Sequence, residues 1–363
     1  MRILAVDIGT GTQDILLFDS LKTVENCVKM IMPSPTAILA ERISRATSSG
    51  HPVMFLGTTM GGGPAKKALS RHMQSGLPAY ATREAALTFH DNLEVVQDMG
   101  VTIVAPDGVP SVPGLETMVL RDLNLEAIRG ALSAFGVDHG FDALAVAVLD
   151  HGFTPPGMSN RRFRFDHLRR VMKQRNELMA FAYLRSELPE YLTRMRAVAG
   201  SADVGVPLLL LDTGVAAALG ALLDREVSGH DHVVTVNIGN SHTMVFHLCG
   251  SSVAGLFEHH TALLDPATLD GLITRLVQGT LTDEEVYQAG GHGALVVQGY
   301  DEAPLVAVTG PRRNLMAGSS LNPYQAVPYG DTMLAGCYGL VSAWALRIAD
   351  WRPEIERALL GSI

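Results

Sequence analysis

The sequence predicts an α/β protein, and three observations carry that prediction. Apolar runs at residues 3–6 and 15–18 flank a turn rich in glycine and threonine, which is typical of a hairpin of two buried strands. The same arrangement recurs at residues 233–236 and 243–246. Between the hairpins, short apolar runs alternate with helix-like segments, as in α/β folds. The chain is therefore expected to form sheets with helices packed against them.

Length and composition exclude several classes of protein. The 363 residues suffice for two or more domains, and 47% hydrophobic residues with 36 glycines indicate a folded chain. A net charge of −9 disfavours general binding to nucleic acid or to anionic membranes. Asp7 interrupts the first apolar run, and runs such as residues 206–211 are too short to span a bilayer, so a cytoplasmic protein is expected.

The tip of the first hairpin has the residues of a phosphate-binding turn. They are Gly9, Thr10, Gly11 and Thr12. Glycine lets the backbone approach a ligand closely and reach positive φ, so that N–H groups and hydroxyls can surround a phosphate. Asp7 and Asp14 at the mouth of the turn could hold Mg²⁺ through water, because Mg²⁺ prefers oxygen ligands and keeps much of its hydration shell. An ordinary tight hairpin explains the same residues.

The next segments are predicted as strands at residues 23–32 and 53–56, followed by a helix at residues 65–74. Pro64 suits the first position of that helix. The loop before it contains Gly61, Gly62 and Gly63. A glycine-rich loop at a helix N-terminus suits an anion or a closely approaching ligand. A flexible connection is the alternative.

Polar residues follow the strand predicted at residues 141–149. Asp150 and His151 come directly after it, where ligands gather in open α/β sheets. Arg161 then opens a basic stretch that runs to Arg175. For the arginines nearest Asp150, an anionic ligand and a solvated helix face are both consistent with the sequence.

Two later segments carry further candidates. Asp212 follows an apolar strand and opens a helix of small residues, where aspartate also serves as an N-cap. After a strand predicted at residues 253–257, the chain reads Glu258, His259 and His260, and His292 lies in a later glycine-rich turn. These side chains could ligate a metal. Adjacent histidines diverge on a strand or helix, so polar contacts to a ligand are favoured over a metal.

The two hairpins resemble the phosphate-1 and phosphate-2 loops of the actin-like ATPase superfamily, which includes sugar kinases, heat-shock ATPases, bacterial actins and acyl-CoA dehydratase activators. The helix opened by Asp212 is similar to its connect-1 segment, and residues 330–339 are similar to connect-2. The resemblance implies two ribonuclease-H-like lobes with a nucleotide cleft between them. The first lobe would comprise residues 1–211 with 331–363, and the second residues 212–330.

That resemblance also implies ATP and Mg²⁺ as ligands and assigns roles to residues. Asp212 would be the catalytic base or water positioner, Asp150 would also act at the catalytic centre, and Asp7 and Asp14 would hold the metal. The remaining nucleotide-binding residues would be Gly9, Thr10, Gly11, Thr12, Asn237, Gly239, Asn240, Ser241 and, at the adenosine, Gly310. The substrate-binding residues would be Gly61, Gly62, Gly63, His151, Arg161, Glu258, His259, His260 and His292.

Within the superfamily, segments such as residues 60–64 and 290–293 resemble an uncharacterised prokaryotic family often labelled pyruvate formate-lyase activating enzyme-like. A radical activase needs closely spaced cysteines for an iron–sulfur cluster. The cysteines here are too far apart for a cluster, a redox pair or a disulfide framework: Cys27, Cys249 and Cys337. The second phosphate loop usually begins with aspartate, whereas Asn237 lacks that charge.

The favoured function is therefore an ATP-dependent phosphotransferase, a kinase, acting on a small, anionic or hydroxylated metabolite. One alternative is an ATPase switch acting on a partner protein. The other is a non-catalytic nucleotide or metabolite sensor, which the loss of charge at Asn237 favours. The oligomeric state stays open, with a homodimer as one possibility.

Overall fold

The computed structural model describes residues 1–202 and 205–361, so residues 203, 204, 362 and 363 of the expected first lobe lie outside the described residues. Its strands are Arg2–Ile8 (β1), Thr12–Asp19 (β2), Val28–Pro33 (β3), Val53–Gly57 (β4), Ala79–Thr82 (β5), Thr102–Val104 (β6), Glu116–Leu120 (β7), Ala143–Val148 (β8), Tyr183–Leu184 (β9), Leu208–Leu211 (β10), His232–Ile238 (β11), His242–Cys249 (β12), Ser252–His260 (β13), Gly293–Val296 (β14), Leu305–Thr309 (β15) and Tyr324–Gln325 (β16).

The helices connect and flank these strands. They are Pro35–Ser48 (α1), Gly63–Gln74 (α2), Arg83–Ala86 (α3), Leu93–Asp98 (α4), Leu125–Ala134 (α5), Asn160–Gln174 (α6), Thr193–Ser201 (α7), Thr213–Ala221 (α8), Pro266–Val277 (α9), Asp283–Gln288 (α10), Ala335–Arg347 (α11) and Arg352–Leu360 (α12). Among the described residues, no helix has the length and apolar character needed to cross a membrane.

Two of the sheets repeat one topology. The first has the order β3-β2-β1-β8-β10-β9, and the second has the order β14-β13-β12-β11-β15-β16. In each, an antiparallel hairpin (β1 with β2, β11 with β12) adds a third antiparallel strand on one side and a parallel strand on the other. This is the ribonuclease-H-like strand order, present twice. The predicted fold class is confirmed.

A third sheet lies outside this repeat and is not anticipated by the sequence analysis. It has the order β6-β5-β4-β7, with all neighbouring strands parallel. Its core includes Phe55, Leu69 and Met118, contributed by the sheet and by α2. The sheet brings the glycine-rich loop before α2 to the edge of the cleft described below.

The two repeats meet where α8 crosses α11 at glycines. A Cβ atom on Gly220 would lie 1.8 Å from the carbonyl oxygen of Ala335, and one on Gly339 would lie 1.9 Å from that of Ala216. Backbone therefore packs directly on backbone, as the small residues of both segments predict. Beyond this crossing, Trp344 of α11 is fully buried in the core.

Two predicted boundaries differ from the structure. The strand expected at residues 23–32 begins only at Val28, because Val24–Asn26 form a 3₁₀ turn with Val24 buried. The strand expected to end at residue 257 continues to His260, since it pairs with β12 along that length. The second difference decides which histidines face the cleft.

Candidate functional site

A cavity of about 1770 Å³ lies between the first and second sheets, and the edge of the third sheet also borders it. Both hairpin tips, the loop after β8, the end of β13 and the glycine-rich loop before α2 line it. The strand order places these segments together, because the carboxyl ends of the parallel strands and the hairpin turns lie at the same edge of each sheet.

The hairpin tips have matching backbone geometry. The N–H of Gly9 donates to the carbonyl of Thr12 at 2.9 Å, and the N–H of Gly239 donates to that of His242 at 2.9 Å. The tips also face each other: a Cβ on Gly11 would lie 2.2 Å from Nδ2 of Asn240. The tip residues bordering the cavity are Gly9, Thr10, Thr12, Gly239, Asn240 and Ser241. Gly11 instead lies against the opposite tip.

Asp7 and Asp14 form a buried carboxylate pair at the base of the first tip, where they oppose each other across β1 and β2. Burial raises the pKa of Asp7 to about 7, with the Thr213 hydroxyl opposing the shift by donating to Oδ1 at 2.6 Å. Burial and the charge of Asp7 raise the pKa of Asp14 to about 8. Within the described part of the chain, Oδ1 of Asp14 has no hydrogen-bond partner. Two buried carboxylates with a free oxygen fit Mg²⁺.

Asn237 lies beside Gly310 at the base of the second tip. Its Oδ1 is 3.4 Å from the hydroxyl of Thr309 and would be 2.8 Å from a Cβ on Gly310. Gly310 has a φ of +97°, and its Cβ would also lie 2.5 Å from the carbonyl oxygen of Ile238. Glycine is therefore required at 310, and both residues border the cavity.

Arg164 of α6 is buried and joins the two sheets through carboxylates. Its Nε donates to Oε2 of Glu258 on β13 at 2.5 Å, and its Nη1 donates to Oδ2 of Asp212 at 2.8 Å. Burial works to lower the pKa of Arg164, but the charges of Asp212 and Glu258 outweigh it and raise the pKa. Because both charged partners of Arg164 are carboxylates of the protein, Arg164 forms an internal ion pair and is not positioned to bind an anionic ligand.

The other arginines of this stretch also have protein partners. Arg161 borders the cavity, but its guanidinium donates to the carbonyls of Tyr287 and Gly291. Arg162 forms ion pairs with Asp283 and Glu284. Both guanidinium groups lie over the ring of Tyr287. The basic stretch therefore docks α6 onto α10. Arg161 and Arg164 both border the cavity, and Arg161, which forms no ion pair within the described residues, is the substrate-binding candidate.

The carboxylates proposed from sequence as catalytic groups both cap backbone. Oδ1 of Asp212 accepts from the N–H of Gly214 at 2.9 Å, while Oδ2 accepts from Arg164. Asp150 accepts from the N–H of Gly152 at 2.8 Å and of Met195 at 2.9 Å. Burial raises the pKa of Asp150 to about 6. Because both its oxygens bind backbone, Asp150 is placed to hold the loop that carries His151.

Four histidine rings converge on the cavity. Nε2 of His151 lies 3.2 Å from Nε2 of His292. The ring centre of His292 lies 4.8 Å from that of His242 and 4.8 Å from that of His260. Burial lowers the pKa of His242 to about 4 and lowers the pKa values of the other rings, most strongly for His151 and His292. At neutral pH these imidazoles are uncharged.

The structure removes His259 from the predicted site and adds His242, which was not predicted. Alternate residues of a strand face opposite sides, so His259 of β13 points away from the cavity, with Nδ1 at 3.2 Å from the carbonyl of His260. It packs behind the turn at Gly291. His242, which the sequence analysis did not name, faces the cavity because it opposes His260 in the β12–β13 register. The strand pairing was the signal that could have found it.

The glycine-rich loop meets the cavity at Gly62 and Gly63. A Cβ on Gly62 would lie 2.2 Å from the carbonyl oxygen of Thr88, so this position needs glycine. A Cβ on Gly63 would lie 3.2 Å from the side chain of Thr10 in the first hairpin tip. Gly61 instead donates its N–H to Asp122 at 3.2 Å. The loop therefore abuts the first tip, and Gly61 faces away from the cavity.

Duplicated ribonuclease-H-like sheets, hairpin tips facing across a cleft and two helices crossing between the sheets define the fold of the actin-like ATPase superfamily. The chain belongs to one family within it, described as "Putative pyruvate format-lyase activating enzyme (DUF1786)", whose profile matches residues 60–315. The resemblance drawn from the sequence is thereby confirmed. The search of curated protein sequences gave no match.

Solved structures overlap this chain at low similarity. A ROK family glucokinase from Streptomyces griseus, in complex with glucose and AMPPNP, is 11% identical, with 95% of this chain and 99% of that chain covered and a TM-score of 0.34. The ethanolamine utilization protein EutJ from Carboxydothermus hydrogenoformans is 13% identical, with 94% and 89% covered and a TM-score of 0.32.

A third structure is larger than this chain. A ROK family transcriptional regulator, a homolog of the E. coli MLC protein, is 11% identical, with 69% of this chain covered and a TM-score of 0.26. This chain spans only 37% of that protein's length. TM-scores this low do not establish a shared fold. The strand order, the hairpins and the helix crossing define the fold of this chain.

Proposed function

We propose that this protein binds ATP with Mg²⁺ in the cleft and transfers the terminal phosphoryl group to a small metabolite. The supporting observation is the pair of hairpin tips. Both present the same glycine N–H to carbonyl hydrogen bond, and both border a cavity of about 1770 Å³ that has room for a nucleotide and a second small molecule. In this proposal the lobes divide as expected from the sequence, with residues 212–330 forming the second.

The first tip would also hold the metal. Asp7 and Asp14 would bind Mg²⁺ through its water molecules, and the free Oδ1 of Asp14 would gain a partner. Mg²⁺ bound there would neutralise charge on the phosphates. The protein would supply positioning: backbone N–H groups from both tips, and Gly310 where the second tip approaches the nucleoside.

Asp212 is the candidate proton acceptor for the metabolite. The strand β10 precedes it, α8 follows it, and Arg164 fixes one of its oxygens, so its position is well defined. General-base catalysis requires hydrogen-bond reach to the acceptor before it requires a matched pKa. A substrate hydroxyl that reaches the carboxylate of Asp212 from the cavity, which Asp212 borders, would meet that requirement.

The histidines would recognise the metabolite. His151, His242, His260 and His292 are neutral rings that can donate or accept hydrogen bonds, and all border the cavity. Their position next to the ion pair of Glu258 and Arg164 suits an acceptor that bears hydroxyl groups. Arg161 lies at the edge of this group.

Asn237 supports a second candidate, a sensor or switch in place of a kinase. It replaces a carboxylate at the second tip and leaves the metal to Asp7 and Asp14. Arg164 also supports a switch, because its guanidinium binds Glu258 of the second sheet and Asp212 at the end of the first. A nucleotide that shifted Glu258 would therefore also displace a group of the first sheet.

Calorimetric titration of ATP with Mg²⁺ into the full chain tests nucleotide binding. Gly9→Val and Gly239→Val should abolish binding, since the added Cβ atoms would lie 3.3 Å from the carbonyl oxygen of Thr12 and 2.8 Å from that of His242 and would distort the turns that present the N–H groups. Gly130→Val is the matched control, because nothing lies within 4 Å of a Cβ at that helical position. Unchanged affinity in both folded tip variants would contradict the proposal.

Transfer is tested next with ATP labelled on the terminal phosphate and pools of hydroxylated and carboxylated metabolites. Label on a metabolite supports the kinase. Steady release of phosphate without an acceptor supports the switch, and binding without turnover supports the sensor.

A further inference from the structure

Three of the cleft histidines come from separate segments and bring their ligand atoms together. His151 follows β8, His242 begins β12 and His292 precedes β14. One ring nitrogen from each lies within 4.8 Å of the other two. These residues are separated by about 90 and 50 positions in sequence, so their meeting is a property of the fold and not of a local turn.

The distance between two of the nitrogens matches a shared metal. Nε2 of His151 and Nε2 of His292 lie 3.2 Å apart. Two imidazole nitrogens bound tetrahedrally to one ion at 2.0–2.1 Å would lie about 3.3 Å apart. A hydrogen bond between two neutral rings would explain this pair, but it would leave the approach of His242 and His260 to His292 unexplained.

Unsatisfied polar atoms surround the same centre. Nδ1 of His292 and Oε1 of Glu258 are buried, and within residues 1–202 and 205–361 neither has a hydrogen-bond partner. They lie 3.8 Å apart, and Oε1 is also 3.8 Å from Nδ1 of His242. A movement of about 1 Å would bring the carboxylate within hydrogen-bond distance of either ring. In metal sites, a carboxylate on one ring nitrogen directs the other nitrogen to the ion.

Two guanidinium groups and two buried carboxylates surround the histidines. Arg164 is shared between Glu258 and Asp212, and Arg161 lies beside the same group. These charges offset one another, so the ligand atoms, and not a net charge, would hold an ion here.

From this geometry we propose that His151, His242 and His292 bind one divalent first-row transition metal, of the kind represented by Zn²⁺, Co²⁺ or Fe²⁺, with Glu258 orienting the rings. Imidazole ligands select such ions over Mg²⁺ and Ca²⁺, which prefer oxygen. The centre is separate from the carboxylate pair at Asp7. Three protein ligands would leave a position for water or a substrate oxygen on the cavity side.

A second cluster on the same sheet serves as an internal comparison. His232, His247 and Cys249 also bring ligand atoms within 4.8 Å of one another, at the end of the β11–β12 hairpin away from the tip. Any metal measured on the protein must therefore be assigned between the two clusters. His247→Ala removes this second set.

The test is equilibrium dialysis of the full-length His247→Ala protein against Zn²⁺, and separately against Co²⁺, with bound metal measured by elemental analysis. One equivalent per chain is expected, with visible absorption from Co²⁺ held by nitrogen ligands. Adding His151→Ala should weaken binding by more than about 100-fold, because loss of an outer-shell partner alone costs about 10–100-fold. Adding His51→Ala, a half-exposed histidine beside Glu116, should leave affinity unchanged.

Circular dichroism and thermal unfolding establish that each variant is folded. His292 is fully buried, so His151→Ala, which alters a half-buried loop residue, gives the main result if His292→Ala does not fold. Less than 0.1 equivalent of either metal in the His247→Ala protein would overturn the proposal. Binding that is unchanged by His151→Ala would also overturn it. The centre does not require ATP, so these outcomes are independent of the nucleotide titration.

Discussion

The two hairpins share a backbone but differ in the side chains that their registers place side by side. In the first, Asp7 opposes Asp14 across β1 and β2. In the second, the matching positions are Asn237 and Met244, which oppose each other across β11 and β12. The first hairpin therefore carries two buried carboxylates at its base, and the second carries neither.

In the second sheet the buried carboxylate lies on the third strand, β13, and not in the hairpin itself. Met244 pairs with Glu258 on β13, and His242 pairs with His260. The ionisable side chains of the second sheet thus reach the cavity from β13 and from the start of β12. The duplicated hairpin therefore carries a carboxylate pair on one side of the cleft and borders an imidazole-rich group on the other.

The largest expected effect concerns Asp212, which lies between these two sites. If the kinase proposal holds, Asp212→Asn should lower turnover by roughly 10²–10⁴-fold, because it removes a general base while keeping the side chain's shape. Nucleotide affinity, measured by calorimetry, should change little. Asp150→Asn is the comparison variant, since it loses one backbone hydrogen bond, worth about 1 kcal/mol. The roles are reversed if Asp150→Asn is inactive and Asp212→Asn turns over normally.

Arg164→Met should give the next largest effect, because it disconnects the two sites. It would leave Glu258 and Asp212 buried without a cation, which typically costs about 3–5 kcal/mol in the free energy of unfolding. Urea unfolding followed by circular dichroism measures that loss. Arg162→Met removes the more exposed ion pairs with Asp283 and Glu284 and should cost less than about 1 kcal/mol. Equal losses in the two variants would rule out a special role for Arg164.

A charge exchange between the hairpins would sharpen the comparison directly. Asp7→Asn should weaken Mg²⁺ binding in the presence of ATP by about 10–100-fold, the usual effect of removing an outer-shell partner of a metal. Asn237→Asp should strengthen it, since it adds a carboxylate at the matching position. Calorimetry at varied Mg²⁺ gives both values. If Asn237→Asp rather than Asp7→Asn weakens Mg²⁺ binding, the metal does not lie at the first hairpin.

The smallest effect is a pH dependence of stability that belongs to the first hairpin. The pKa values of Asp7 and Asp14 are raised from 3.8 to about 7 and about 8, so the folded state keeps protons that the unfolded chain releases. Without metal, stability from this pair is present below about pH 4 and is lost as pH rises to about 8. Asp7→Asn should reduce that loss, measured between about pH 5 and pH 6 in chelator, by on the order of 1 kcal/mol.

Two checks accompany this measurement. Asp301→Asn, which alters an exposed residue, should follow the wild-type pH dependence. Saturating Mg²⁺ should reduce the difference between wild type and Asp7→Asn, because the ion favours the ionised carboxylates. The lowered pKa values of the cleft histidines raise stability with pH in both proteins, so the comparison between them decides. The same pH dependence in Asp7→Asn and wild type would contradict the assignment.

The sequence was most informative where the signal is local. Apolar runs flanking Gly9 and Gly239 predicted both hairpins, and their repetition predicted the duplicated fold. The strand at residues 53–56 was predicted, but the third sheet was not, because all of its pairings are between residues distant in sequence. Nothing near Val53–Gly57 indicates that Glu116–Leu120 lies beside it.

The site was harder to predict because it depends on which way side chains face. A run of arginines does not show that Arg164 is buried while Arg162 is exposed to solvent on one side. Likewise, His259 and His260 are equivalent in composition but not in direction, and only the extension of β13 to residue 260 separates them. His242 required the pairing of β12 with β13, which no single segment encodes.

The crossing of α8 and α11 has a mechanical consequence. Because the backbone at Gly220 touches Ala335 and the backbone at Gly339 touches Ala216, neither helix can slide along the other without a collision. Motion of one half of the molecule against the other is therefore favoured as a rotation about this point of contact. Such a pivot would widen or narrow the cavity at the hairpin tips while leaving its floor in place. Gly220→Ala would obstruct the pivot itself without changing a residue that borders the cavity.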